Sequence, residues 1–86
     1  SPERSPYMMF ALRLGPGGLT KMEQDPEGTV KYLYVFKGQI KVTVGNIEKI
    51  LNKGDSIELN SFKPHYFQNA SSQKAMGLLY QNPKNF

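Results

Sequence analysis

The chain contains no cysteine, so neither a disulfide framework nor a thiolate metal site can hold it together. A disulfide-stapled secreted miniprotein and a zinc ribbon are both excluded. No apolar run approaches the ~20 residues that a membrane-spanning helix needs, and no signal-peptide pattern of charge, apolar stretch and small-residue cleavage site is present. A soluble, cytoplasmic protein without membrane contact is expected. Histidine occurs once, as His65, so a nucleophilic triad would have to use it, and Ser56, Ser61 and Asp55 offer no diagnostic spacing around it. A glycine-rich phosphate loop before a helix is also missing. Gly15-Pro16-Gly17-Gly18 leads towards another strand, and its proline removes a backbone donor. Internal repeats are absent, as are low-complexity tracts after residue 6.

What is present is enough to fold. The 86 residues are 38% hydrophobic and 12% aromatic against 21% charged, too apolar for a disordered tail. A chain of this length buries only ~60–65% of the surface its unfolded form exposes, which allows one core and no separate catalytic lobe. Eleven Lys+Arg against seven Asp+Glu leave a net charge of +4, which raises the question of nucleic acid. Lys37, Lys41, Lys49, Lys53, Lys63 and Lys74 are spread between apolar residues, however, as on a solvated strand face with lysines guarding the edges. Ser1-Pro2-Glu3-Arg4-Ser5-Pro6 reads as a linker (1–6) ahead of a domain spanning 7–86, with a further region expected upstream. Asn69-Ala70-Ser71 has the form of a glycosylation acceptor, which matters only in a secretory context.

Periodicity favours strands throughout. Phe10, Leu12 and Leu14 alternate with Ala11 and Arg13 up to the Gly-Pro turn. Lys31 to Phe36 is β-rich, and its aromatics Tyr32, Tyr34 and Phe36 are read as packing residues, not as a base-stacking platform. Ile40, Val42 and Val44 form a half-buried strand. Gly45-Asn46 closes a tight hairpin into Ile47 to Leu51, both turn residues tolerating positive φ. Further strands are expected at Ser56–Leu59, His65–Gln68 and Ala75–Tyr80. Seven or eight short strands without a helical segment describe an all-β, antiparallel sandwich or barrel. A two-residue turn pairs Val44 with Ile47 and Ile40 with Leu51, leaving Ile50 on the wet face. Either a bulge returns it to the core or that face is covered by dimerisation.

Lys53-Gly54-Asp55-Ser56-Ile57, then Lys63-Pro64-His65-Tyr66-Phe67-Gln68-Asn69 and Ala75, resembles the second motif of the cupin family. Tyr34 to Val44 is similar to the end of the first cupin motif and the hairpin after it. The resemblance spans roughly residues 7 to 83 and implies a small antiparallel jelly-roll barrel with a ligand pocket inside. Cupin enzymes hold a divalent metal through two His and a Glu of the first motif and the His of the second. At the Glu position this chain has Lys31. The two His positions fall on Gln24 and Pro26, or one residue later on Asp25 and Glu27, and only His65 is retained. An ammonium offers no lone pair and one imidazole cannot hold a divalent ion, so no metal and no cofactor are expected. A site of Asp25, Glu27 and His65 is the alternative in the second register.

Lys31 is then the informative residue. Pointing inward, it needs a counter-charge, supplied either by an internal acid such as Glu58 or Glu27 or by an anionic group on a bound effector. The implied pocket comprises Lys31, Leu33, His65, Phe67 and Met76. The resemblance implies a non-enzymatic domain: a homodimeric sensor of a small, possibly anionic molecule, attached to an upstream DNA-binding region of a transcription regulator. A stand-alone structural dimerisation cupin is the alternative, and a metal-dependent dioxygenase or isomerase a more distant one.

Overall fold

The structure is a computed structural model that describes residues 3–83. Of the proposed linker, Ser1 and Pro2 lie outside the described residues, as do the last three positions of the proposed domain. Seven strands follow one another: β1 (Met8–Leu14), β2 (Val30–Lys37), β3 (Gln39–Val44), β4 (Ile47–Asn52), β5 (Ser56–Asn60), β6 (His65–Gln68) and β7 (Ala75–Asn82). They form two antiparallel sheets, a four-stranded one in the order β1-β7-β2-β5 and a three-stranded one in the order β4-β3-β6. The strand after Gly18 is reduced to isolated bridges, Leu19 to Gln68 and Glu23 to His65. Through them residues 19–23 run along the free edge of β6, with the Thr20 amide donating to the Phe67 carbonyl at 2.9 Å.

Alternation decides which side chains face inward. On β2, Lys31, Leu33 and Val35 are buried while Tyr32, Tyr34 and Phe36 are exposed. The aromatic run is therefore not core packing. It forms an outer face. Across the sheet, Met9 pairs with Tyr80 and Tyr80 with Tyr32, and the Tyr80 ring touches Tyr7 (centroids 5.0 Å apart) and Tyr32 (5.6 Å). Leu14, Leu33, Val35, Ile40, Val42, Leu51, Leu59, Phe67, Ala75 and Leu79 make the core between the sheets.

The β3–β4 register is the one expected, with Val44 opposite Ile47 and Ile40 opposite Leu51. No bulge rescues Ile50, which is 58% exposed on the outer face of the smaller sheet. In the connecting turn only Gly45 has positive φ, at 59°. That is the pattern of a turn with glycine at its first central position, not one demanding two left-handed residues. Gly54 (φ 94°) sets the next turn, in which the Asp55 carboxylate accepts from the Asn52 amide at 2.8 Å. The Gly54 amide donates to the Val35 carbonyl at 2.7 Å.

One polar side chain closes the barrel end. Asn69 is fully buried. Its Nδ2 donates to the carbonyls of Leu14 (3.0 Å), Gly15 (3.2 Å) and Gln73 (2.7 Å). Its Oδ1 accepts from the Ser71 amide and hydroxyl. The residues after β1 are thus tied to the turn before β7. Asn69→Asp would turn a carboxylate oxygen towards three carbonyls and should cost roughly 3 kcal/mol of unfolding free energy, measured by urea denaturation.

Candidate functional site

The polar centre begins with the parity of β2. Lys31 lies on the inward row with Leu33 and Val35, and its side chain is 2% exposed. A buried ammonium needs a partner. The partner is Asp25, whose Oδ2 lies 2.8 Å from Lys31 Nζ. Glu58, the acid expected on β5, faces outward and accepts a hydrogen bond from the Tyr32 hydroxyl. Glu27 is exposed. The turn at Pro26-Glu27-Gly28, closed by the Thr29 amide on the Pro26 carbonyl and with Gly28 at φ 92°, keeps Glu27 at the surface and leaves Asp25 on the inner side. The Asp25 amide donates to the Ser61 carbonyl at 2.8 Å. The acid is thus delivered by the loop that runs along β6.

His65 completes the cluster. Its Nε2 is 2.9 Å from Lys31 Nζ and its Nδ1 is 2.9 Å from the Lys63 carbonyl. A carbonyl can only accept and an ammonium can only donate. Nδ1 therefore carries the hydrogen and Nε2 presents its lone pair to Lys31, which makes the ring neutral. The cluster holds one cation, one anion and one neutral acceptor. Burial by itself pushes the Asp25 carboxyl up, but the hydrogen bond and charge of Lys31, with a hydrogen bond from Ser61 acting in the same direction, hold it below the usual carboxylate range.

Of the sequence-derived pocket residues, the structure brings together Lys31, Leu33, His65 and Phe67, all buried inside the barrel. The His65 and Phe67 rings meet edge-on at 6.3 Å. Met76 is not among them. On β7 the inward residues are Ala75, Gly77, Leu79 and Gln81, which puts Met76 on the outer face opposite Arg13. The implied metal does not fit this donor set. The ammonium stands within 3 Å of both ligand-type side chains, and among the described residues no three His, Cys, Asp or Glu side chains converge. The charge of Lys31 is already balanced by Asp25.

Sequence reasoning missed an opening elsewhere. A cleft of about 170 Å³ lies where β4 and β5, the edge strands of the two sheets, fail to pair. Val42, Val44, Ile47, Ile57 and Leu59 line it, with Lys49, Glu58 and Asn60. Leu59 pairs with Lys31 and Val44 with His65, so it starts one strand from the polar centre. The signal was present: Lys49 shares strand parity with Ile47 and Leu51, which the hairpin register already placed inward. A wider groove of about 400 Å³, lined by Leu19, Thr20, Met22, Tyr66 and Gln68, holds no acid, cation or imidazole.

The family model described as a cupin domain matches residues 10–80. No curated protein matches the chain by sequence. Among solved structures, the cupin domain of an XRE-family transcriptional regulator from Enterobacter cloacae is 19% identical, with 93% of this chain and 84% of that one covered at a TM-score of 0.86. An HTH_3-family transcriptional regulator from Vibrio cholerae is 21% identical, covering 93% of this chain and 44% of that one (TM-score 0.82). A cupin-superfamily sugar phosphate isomerase from Silicibacter pomeroyi is 18% identical, with 93% and 52% covered (TM-score 0.80).

Removing one partner of a buried pair strands the other. Lys31→Met should therefore cost ~3–5 kcal/mol in urea denaturation, and Asp25→Leu added to it should restore much of that loss. Because the native Asp25 carboxyl is lowered, its contribution is complete above its unfolded pKa of ~3.9. It is lost as the pH falls from there through the native value. Asp25→Asn should flatten the decline in stability below about pH 4, as read from acid-unfolding curves.

Proposed function

The chain belongs to the cupin domain family, and from that premise we propose that it is the small-molecule-sensing, dimerising domain of a transcription regulator, without enzymatic activity. One observation carries this reading. The Lys31 ammonium lies within 3 Å of both Asp25 and His65, so the two groups that could act as base or ligand already face an internal cation, and among the described residues no set of three His, Cys, Asp or Glu side chains converges; a bound molecule would be held without being transformed. The likeness to two regulator cupin domains supports it. DNA would be contacted only through a separate upstream domain.

Dimerisation would use the outer face of the four-stranded sheet, not the Ile50 side. Tyr7, Met9, Val30, Tyr32, Tyr34 and Phe36 are each 36–51% exposed there, on β2 and in or next to β1, with the Tyr80 ring of β7 between them touching Tyr7 and Tyr32; clustered exposed apolar side chains of this kind mark interaction sites. The face around Ile50 is charged, with Lys41 and Glu48 4.0 Å apart. Sedimentation at ~100 μM should show a dimer. Tyr34→Arg should convert it to monomer, and Ile50→Arg should leave it unchanged.

The sensing role is tested by thermal shift against a metabolite library. At a hundredfold excess over Kd an effector adds ~2.7 kcal/mol and raises Tm. If no compound raises Tm, the domain is a structural dimerisation module instead.

A further inference from the structure

Resting on the sensing reading, we infer that the effector site is the cleft between β4 and β5, and that its occupant is a compact apolar carboxylate whose anionic group pairs with Lys49. Lys49 breaks the alternation of β4. On β3 and β4 the positions that share its side of the sheet are Ile40, Val42, Val44, Ile47 and Leu51, all aliphatic. A charge on an apolar row costs free energy unless it reaches water or a counter-ion. Lys49 lines the cleft together with Glu58; Glu58 lies opposite outward-facing Tyr32 and accepts from its hydroxyl, whereas Lys49 makes no ion pair among the described residues.

The walls match the other half of such a ligand. Ile47 faces inward by register yet is 55% exposed, because no strand covers it where the sheets part. Val44 and Ile57 are only partly buried. A ligand lying in the cleft would remove these aliphatic surfaces from water, the term that drives apolar association. The volume of about 170 Å³ is close to the ~150 Å³ of an apolar cavity that takes a benzene ring. It suits one ring or a short branched chain and excludes a nucleotide. Asn60 at the rim adds an amide that can donate to the same carboxylate. Lys31, already neutralised by Asp25, is not needed for the anion.

The probe is benzoate, titrated into the 86-residue protein and followed by amide chemical shifts, with benzyl alcohol as the neutral counterpart. Benzoate should move the amides of Ile47–Leu51 and Ser56–Asn60 in a saturable way. Lys49→Met, which keeps the stem at an accessible position, should weaken benzoate by about tenfold or more and leave benzyl alcohol unchanged. Lys41→Met, on the outer face, should have no effect. The inference is overturned if benzoate does not saturate, if its shifts centre on Tyr66–Gln68, or if Lys41→Met and Lys49→Met weaken it equally. A library compound that raises Tm while its shifts map away from the cleft overturns this site and leaves the sensing reading standing. A library without any hit overturns the sensing reading itself.

Discussion

The fold is organised around a lysine ammonium placed where water cannot reach it. An unpaired charge at that depth would be prohibitively costly, so several otherwise unrelated features follow from Lys31. Asp25 must come inside, which requires the loop after Gly18 to track the edge of β6 and turn sharply at Pro26–Gly28. His65 must present a lone pair, which the Lys63 carbonyl ensures by holding the hydrogen on the other nitrogen. Elements from β2, β6 and an irregular loop are thus bound to one geometry. Buried ion pairs of this kind add little net stability compared with apolar packing. What this one does is penalise any arrangement that leaves a member of the cluster without its partners.

The same cluster also sorts the molecule's charges. Lys31 and Asp25 balance one another inside the barrel. The surfaces left open lie where the sheets end or face outward. The four-stranded sheet presents tyrosines, phenylalanine and methionine, and the three-stranded sheet presents a mixed charged surface. The unpaired edges of β4 and β5 leave a gap between them. These three surfaces differ in chemistry because alternation along each strand sorts side chains independently of the neighbouring sheet.

Much of this was legible in the residues. The Gly45-Asn46 hairpin set the β3–β4 register, and with it the exposure of Ile50. The Gly54-Asp55 turn and Pro64-His65 located the strands that carry the polar centre. The inward direction of Lys31 followed from the resemblance and from parity. Its partner did not. Glu58 lies on β5, the strand paired with β2, but it sits opposite Tyr32 on the outer face, while Asp25 arrives through a loop whose path no periodicity encodes. Met76 was misplaced for a simpler reason. In a strand apolar at almost every position, such as Ala75–Tyr80, composition cannot say which alternate set faces inward, and a shift of one residue exchanges the two. Tyr32, Tyr34 and Phe36 lie on the outer face of β2, a placement that composition leaves open because aromatic side chains suit an outer face as well as a core.

The Asn69 amide nitrogen spends both of its hydrogens inside the protein, on three carbonyls from two distant turns. The Asn69-Ala70-Ser71 tripeptide is therefore an acceptor in spelling only. A glycan attached to that nitrogen would replace one of its donors and demand an exit where the structure is closed. In any compartment with the transferase, modification and folding would compete for the same atom. A chain modified first could not close the end of its barrel, and a chain folded first could no longer be modified.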